Sequence, residues 1–316
     1  MSAPYPSLAD IHAAREAIAG TAIRTPLVRL NLDGPPSVYL KLENLQPIGS
    51  FKIRGAANVI AHMSANELQC GVITASAGNM AQGVAWCARE RGIPCTVISP
   101  QGAPVNKMRA IEKLGARLIQ VPFDDWWRAF EERAYPGVDA TFIHAFDDLN
   151  VMAGNGTIGL EIVEDLPDLD AIVIPWGGGG LACGIASALR QLAPAVKIFA
   201  AEVDVAAPLM ASWKAGSPQV IEPVRSFVDG VGGKSVFPRM LDLARQLLDG
   251  CLVAQVTEVA SAIKLIAERN HMIAEGAGAT ALACVLAGKA GAGKVVCVVT
   301  GGNIDLPKFI EILSSA

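Results

Sequence analysis

The chain has 316 residues, of which 52% are hydrophobic and 18% are charged, and this balance excludes a disordered protein. The formal net charge of −4 leaves no basic field for a phosphate backbone, so nucleic acid is not expected as a partner. No uncharged apolar run reaches the ~18 residues that a membrane-spanning helix requires, and the longest candidate, 280–292, is interrupted by Lys289. A membrane partner is therefore not expected either.

The cysteines indicate a reducing compartment, and the histidines argue against a metal enzyme. The seven cysteines are scattered and form no C-x-x-C pair, which predicts reduced, buried thiols. No histidine lies at zinc-ligand spacing from another histidine or cysteine, so a histidine-based metallohydrolase is not expected. Residues 1–9 lack the basic patch and apolar stretch of a signal peptide. We therefore expect a cytoplasmic protein.

The predicted elements begin with a helix that opens at Ser7, with Asp10 at capping-box spacing, and ends at Gly20. A second helix is predicted over 56–63. From residue 71 onward, β-rich runs alternate with alanine-rich helical runs. Strands are predicted at 71–75, 95–99, 117–121, 171–175, 196–202 and 294–300, and helices at 79–91, 104–114, 154–164, 181–192 and 259–270. This alternation predicts parallel sheets in two α/β lobes joined near the middle of the chain.

Lys52 lies in a segment that reads Gly-Ser-Phe-Lys-Ile-Arg-Gly over 49–55. Ser50 is a good N-cap for the helix that follows, which would put Lys52 in the first turn. There the helix dipole opposes a positive charge, which favours the neutral amine that a Schiff base requires. An exposed lysine whose stem reaches solvent is the alternative, and this segment alone does not separate the two.

Four consecutive glycines, 177–180, lie between the predicted strand 171–175 and the predicted helix 181–192. Backbone N–H groups in such a loop, together with the helix N-terminus, can bind an anion such as phosphate. A P-loop is excluded because no Gly-Lys-Ser/Thr follows. Gly177-x-Gly179-x-x-Ala182 also satisfies a variant of the dinucleotide fingerprint, with Glu202 as its ribose-binding acid. A flexible glycine turn is the third possibility.

Two further polar segments follow predicted strands. In 74–83, Ser76 and Asn79 could cap the next helix, or the N–H groups of this loop could receive a carboxylate. Thr300 follows an apolar strand, at the carboxyl end where open α/β sheets bind ligands. A turn with a threonine hydrogen bond is the alternative for Thr300.

Together these segments resemble the fold-type II pyridoxal-phosphate enzymes, and among them the threonine/serine dehydratases and serine racemases. The lysine motif runs from Leu40 to Gly55, and the other motifs occur in the family's order over essentially the whole chain, at 24–27, 74–83, 154–157, 177–180, 275–279 and 300–303. The resemblance implies two open, twisted α/β lobes with the cofactor in the cleft between them, as in the tryptophan synthase β chain. Residues 1–68 and 148–316 would form the large cofactor-binding lobe and 69–147 the small one, in a homodimer.

The resemblance also implies a role for each site residue. Lys52 would be the catalytic lysine and would carry pyridoxal phosphate as a Schiff base. Asn79 would hydrogen-bond the ring hydroxyl, and Thr300 would face the ring nitrogen. The remaining cofactor-binding positions would be Phe51, Gly177, Gly178, Gly179, Gly180 and Leu181. The carboxylate of an amino-acid substrate would bind at Ser76, Ala77, Gly78, Asn79 and Met80.

The implied activity is that of a dehydratase, or ammonia-lyase, acting on an L-β-hydroxy amino acid such as threonine, serine or a bulkier analogue. The neutral hydroxyl of Thr300 would leave the ring nitrogen unprotonated, which favours elimination over transamination. An amino-acid racemase is the alternative within the family, although Ala77 replaces the second serine of the serine racemase loop. An NAD-dependent oxidoreductase is the alternative of a different class, and a Schiff-base lysine with one phosphate site argues against it.

The sequence departs from the family pattern at three places. Met80 replaces the usual histidine, and Trp126-Trp127 falls in the predicted small lobe, where the two rings either face the substrate or pack a helix. Both departures favour a bulkier or less polar substrate. At the family's cation site, Glu202 and the Ala206 carbonyl match but Pro208 replaces the acidic ligand, so no metal is expected to bind well.

Overall fold

The computed structural model describes residues 4–32, 37–103 and 105–314. The strands are β1 (Leu27–Arg29), β2 (Ser37–Leu42), β3 (Val72–Ala75), β4 (Cys95–Pro100), β5 (Arg117–Val121), β6 (Thr141–Phe142), β7 (Ala171–Pro175), β8 (Lys197–Val203), β9 (Gly250–Ala254) and β10 (Lys294–Val299). The helices are α1 (Leu8–Ala17), α2 (Lys52–Ala61), α3 (Ala65–Cys70), α4 (Asn79–Arg91), α5 (Val105–Lys113), α6 (Phe123–Glu132), α7 (Leu149–Asp165), α8 (Gly180–Leu192), α9 (Pro208–Ala215), α10 (Pro238–Leu247), α11 (Val256–Asn270), α12 (Gly276–Leu286) and α13 (Leu306–Ser314). None of these helices combines the length and the apolar character that crossing a membrane requires.

The strands form two sheets, as expected from the alternation of strands and helices. A six-stranded sheet has the order β1-β2-β10-β7-β8-β9, and a four-stranded sheet has the order β5-β4-β3-β6. Every pairing is parallel except that of β1 with β2. The central strands β7 and β10 are buried almost throughout, as is typical of parallel sheets with helices on both faces.

The four-stranded sheet uses only residues from 72 to 142, and the strands of the six-stranded sheet lie outside that range. A shared apolar cluster connects the two regions, since Ile60 of α2 and Val84 of α4 belong to it together with Val151 of α7. The mixed α/β class with two sheets is therefore confirmed. The lobe boundaries after residues 68 and 147 stay a prediction.

The predicted elements are present, but the sequence did not predict strands β1, β2, β6 and β9 or helices α3, α6, α9, α10, α12 and α13. Among the predicted elements, the main differences concern helix starts. Helix α7 begins at Leu149, five residues before the predicted start, because Asp148 accepts a hydrogen bond from the Val151 N–H and caps the helix. Ser50 was wrongly predicted as the cap of α2. Its buried hydroxyl has no hydrogen-bond partner among the described residues, and α2 begins at Lys52 with Phe51 as an N-cap without a side-chain bond.

The cysteines are all free thiols, and each of them except Cys70 is buried. Burial in apolar surroundings disfavours the thiolate, which raises the pKa of Cys87 and of Cys183 to about 12. The scattered cysteine pattern predicts buried thiols, which is correct for six of the seven cysteines, and Cys70 is the exception.

Candidate active site

Lys52 occupies the first position of α2, between the two sheets. The preceding residue is tied to β10, since the Phe51 N–H donates to the Thr300 carbonyl at 3.1 Å. The Lys52 amine donates to the Ala145 carbonyl at 2.9 Å. Burial lowers the pKa of Lys52 to about 8, against the opposing effect of the Glu275 carboxylate. The predicted destabilisation of the ammonium is therefore present, and its principal cause is desolvation.

A single cavity of about 660 Å³ contains the Lys52 side chain. Every site residue named from the sequence lines this cavity, namely Phe51, Lys52, Ser76, Ala77, Gly78, Asn79, Met80, Gly177, Gly178, Gly179, Gly180, Leu181 and Thr300. The fold thus brings together four segments that are far apart in the chain. Their common position at strand ends and helix starts is the usual place for ligands in α/β sheets.

The glycine loop forms the start of α8, directly after β7. Gly179 is the N-cap with φ +96°, and no side chain caps the helix. A β-carbon at Gly178 would lie 1.9 Å from the Phe146 ring, and one at Gly179 would lie 2.4 Å from the Trp176 ring, so both positions require glycine. The uncapped N–H groups and the positive end of the helix dipole face the cavity, which fits a phosphate group.

Substitution Gly178→Ala is expected to weaken binding of pyridoxal phosphate roughly 10- to 100-fold, because displacing Phe146 costs about 1–3 kcal/mol of overpacking. Titration of the apoprotein with cofactor, followed by its visible absorbance, measures the affinity. Gly233→Ala is the matched control, since a β-carbon there meets nothing within 4 Å. Equal affinities for the two variants would show that the loop does not bind the cofactor.

The dinucleotide interpretation of this loop fails at Glu202. The Glu202 carboxylate is fully buried and accepts hydrogen bonds from the Leu209 and Met210 N–H groups at the start of α9. Glu202 therefore caps a helix, and it is absent from the described lining of the cavity. Burial raises the pKa of Glu202 to about 7.

Glu202 was also the candidate metal ligand, with the Ala206 carbonyl beside it. Pro208 occupies the first turn of α9, and the carboxylate is already engaged by the backbone of that helix. Across the described ranges, no three His, Cys, Asp or Glu side chains lie close enough together to hold a metal ion.

Asn79 is held by residues on both sides. Its Nδ2 donates to Glu275 Oε1 at 2.8 Å, and its Oδ1 accepts from Asn303 Nδ2 at 2.8 Å. The two contacts fix which end of the Asn79 amide faces which neighbour. Burial, together with the nearby Asp229, raises the pKa of Glu275 to about 7, so this buried carboxylate titrates near neutrality.

The capping roles considered for Ser76 and Asn79 are not found. The N-cap of α4 is Gly78, with no side-chain hydrogen bond, and the Ser76 hydroxyl accepts from the Gly78 N–H at 3.2 Å within the turn. The first N–H groups of α4 therefore have no side-chain cap and can receive a carboxylate, as the second interpretation of this loop predicted.

The two tryptophans have different surroundings. Trp126 lines the cavity, whereas Trp127 is not among its described lining residues and lies edge-on to Phe237 at 6.3 Å. Facing the site is therefore the correct interpretation for Trp126, and packing for Trp127. Sequence reasoning missed Glu275 as a site residue, although it opens the motif at 275–279, and it missed Phe123 and Phe146, for which no sequence signal was evident.

Comparisons with known proteins agree with this geometry. A family model described as "Pyridoxal-phosphate dependent enzyme" matches residues 18–301. The L-threonine ammonia-lyase of Thermotoga maritima is 39% identical over 98% of this chain and 78% of its own length. A catabolic L-threonine dehydratase of Staphylococcus aureus is 37% identical over 97% of this chain and 92% of its own length.

Solved structures show the same fold. The serine racemase of Dictyostelium discoideum superposes with a TM-score of 0.86 at 33% identity, covering 96% of this chain and 100% of that one. A threonine deaminase of Solanum lycopersicum gives 0.84 at 32% identity, covering 96% of this chain and 86% of that one. The resemblance inferred from the motifs is confirmed: the chain belongs to the family of pyridoxal-phosphate-dependent enzymes, and pyridoxal phosphate is its cofactor.

Proposed function

We propose that the protein is a lyase that removes the β-hydroxyl group of an L-β-hydroxy amino acid and yields a 2-oxo acid and ammonia. The observation that carries the proposal is the partly buried Lys52 amine, which shares one cavity with the uncapped start of α8 and with Thr300. The names of the threonine ammonia-lyase and dehydratase relatives support the reaction class.

The residues around the cavity fit the cofactor. The start of α8, Gly177 to Leu181, would hold its phosphate, and Asn79 would hold its ring hydroxyl. Thr300 would meet the ring nitrogen with a neutral hydroxyl, and Phe51 would lie beside the ring. When bound, pyridoxal phosphate supplies an electron sink that stabilises negative charge at the substrate α-carbon.

The chain's own groups would bind the substrate and move its proton. The carboxylate would bind at the uncapped start of α4, among Ser76, Ala77, Gly78, Asn79 and Met80. The Lys52 amine would then remove the α-proton as a general base. A pKa of about 8 gives Lys52 a sizeable neutral fraction near physiological pH, which this role needs.

Racemisation would require a second acid on the opposite face, because the α-carbon must be reprotonated from that side. The Ala77 methyl group cannot supply a proton, so we expect elimination from L substrates with negligible formation of the D enantiomer. Ala77→Ser is expected to introduce measurable racemisation while elimination stays within about tenfold of the starting enzyme. Chiral analysis of recovered substrate tests this prediction. D substrate from the unchanged enzyme would contradict it, as would no D substrate from the Ala77→Ser variant.

Borohydride reduction tests the proposed site directly. We expect the purified protein to absorb visible light and the reduced cofactor to be found on Lys52 by peptide mass analysis. A colourless protein that binds a nicotinamide nucleotide would favour the oxidoreductase class. Cofactor on Lys52 with no β-hydroxy amino acid turned over would indicate a binding protein.

We also propose a cytoplasmic homodimer, as the family resemblance implies. Free, mostly buried thiols support a reducing compartment. Exposed Leu306 and Ile310 on α13 give an apolar surface that a second copy could cover. Sedimentation velocity of the purified protein measures the assembly, and a monomer at micromolar concentration would contradict it.

A further inference from the structure

We infer that the substrate carries an aromatic group on its β-carbon, as L-threo-3-phenylserine does. The inference rests on the proposed elimination and adds the substrate class. It starts from an apolar wall of cavity-lining residues to which the cofactor assignment gives no role, namely Met80, Phe123, Trp126, Phe146 and Val231. Phe146 also packs against the glycine loop.

The aromatic members of this wall belong to a fixed cluster of rings. The Trp126 centroid lies 5.4 Å from that of Phe123 and 6.0 Å from that of Phe130. Phe130 in turn lies 5.5 Å from Phe146. These separations are those of mutually stabilising aromatic pairs. The rings that face the cavity are therefore held in place by rings behind them, and they form a preformed surface for another ring.

Met80 extends the apolar wall from the loop that would bind the substrate carboxylate. It lies one residue after Asn79, at the start of α4, and is almost completely buried. A thioether packs favourably against the edge of an aromatic ring and makes no strong hydrogen bond. A small polar β-substituent would therefore gain little at this position, whereas a phenyl group would pack mainly against the ring cluster.

The charges at the cavity argue against an acidic β-substituent. Lys107 and Asp229 both line the cavity and form an ion pair, so the charge of Lys107 is largely neutralised. Glu275 also lines the cavity, and its carboxylate would repel a second negative group. Arg225 is the remaining cation of the described lining apart from Lys52, and it is exposed to solvent, where screening weakens its attraction.

The expected preference for L-threo-3-phenylserine over L-threonine follows from the additional apolar surface that the phenyl group would bury. One methylene in an apolar pocket changes kcat/KM by about 10- to 200-fold, and a phenyl group adds several carbons beyond the threonine methyl. We expect L-threo-3-phenylserine to exceed L-threonine in kcat/KM at least about tenfold. The reaction needs no oxidant, because loss of water and then hydrolytic release of ammonia convert phenylserine to phenylpyruvate plus ammonia.

The experiment compares substrates and unreactive analogues on the holoenzyme. L-Phenylalanine and L-2-aminobutyrate lack the β-hydroxyl, so their binding, followed by the change in cofactor absorbance, reports recognition without elimination. We expect L-phenylalanine to bind at least about tenfold more tightly than L-2-aminobutyrate. Trp126→Ala should reduce both preferences at least fivefold. Trp127→Ala removes a ring that supports Trp126 at 6.0 Å from outside the described cavity lining, so it should reduce them by less than about twofold.

The outcomes separate the inference from the function on which it rests. A preference for threonine and L-2-aminobutyrate, or for 3-hydroxyaspartate in the same panel, would overturn the aromatic assignment while leaving elimination intact. Equal effects of Trp126→Ala and Trp127→Ala would overturn the role of Trp126. Absence of 2-oxo acid from every hydroxy amino acid, with tight binding of L-phenylalanine, would instead overturn the proposed elimination.

Discussion

Replacement of Lys52 by alanine is expected to lower kcat/KM for elimination by at least about 10³-fold. The variant loses both the amine that carries the cofactor and the general base, and a general base alone contributes about 10²- to 10⁴-fold. Formation of 2-oxo acid and ammonia, measured at saturating cofactor, checks the result.

Lys52→Arg is the matched control for charge and packing. Arginine keeps a long cationic side chain beside Glu275 but cannot lose its proton in a protein. We therefore expect the arginine variant to fold, with a thermal midpoint close to that of the unchanged protein, and to be as inactive as the alanine variant. Activity within tenfold of the unchanged enzyme in either variant would contradict the assignment of Lys52.

Replacement of Arg54 by methionine is expected to cost about 3–5 kcal/mol of unfolding free energy, because it leaves buried carboxylates without their principal cation. Arg54 Nη2 lies 2.8 Å from Glu43 Oε1, and Arg54 Nη1 lies 2.6 Å from Glu161 Oε1. Lys41 Nζ is the other cation, 2.6 Å from Glu161 Oε2. All four side chains are almost fully buried.

The direction of the pKa shift of Glu43 reflects the buried groups that surround its carboxylate. Burial alone would raise the pKa of Glu43, but Arg54, together with Thr25 and Lys41, outweighs that effect and holds the pKa below its ordinary value. Urea denaturation of the Arg54→Met variant measures the loss of unfolding free energy. Arg89→Met is the control, since Arg89 makes an exposed pair with Glu90 and should change stability by less than about 0.5 kcal/mol. Similar losses of unfolding free energy in the two variants would contradict the stabilising role assigned to the buried ion pairs of Arg54.

The sequence predicts well those features that are local. Strands 117–121 and 171–175 have the predicted bounds because compact β-rich runs are bounded by turn residues. The end of α4 at Gly92 is equally local, since that glycine adopts φ +65°. Lys52 and the glycine loop are recognisable because a chemical requirement fixes their residue types within a short segment.

Features that depend on tertiary packing could not be predicted in the same way. The Ser50 hydroxyl fails to cap α2 because its backbone pairs with Gly301, far along the chain. Glu275 reaches Asn79 across 196 positions of sequence. Helix α6 places Trp126 and Trp127 in different surroundings although they are neighbours. These outcomes depend on how the two sheets pack together, which a local pattern does not encode.

The most direct test of the proposed elimination is turnover of L-serine, L-threonine and L-threo-3-phenylserine by the purified holoenzyme, with 2-oxo acid and ammonia quantified together. The account predicts one ammonia for each 2-oxo acid, consumption of the L enantiomer only, and loss of both products in the Lys52→Ala variant. No 2-oxo acid from any of the three substrates, or undiminished product formation after loss of Lys52, would contradict it.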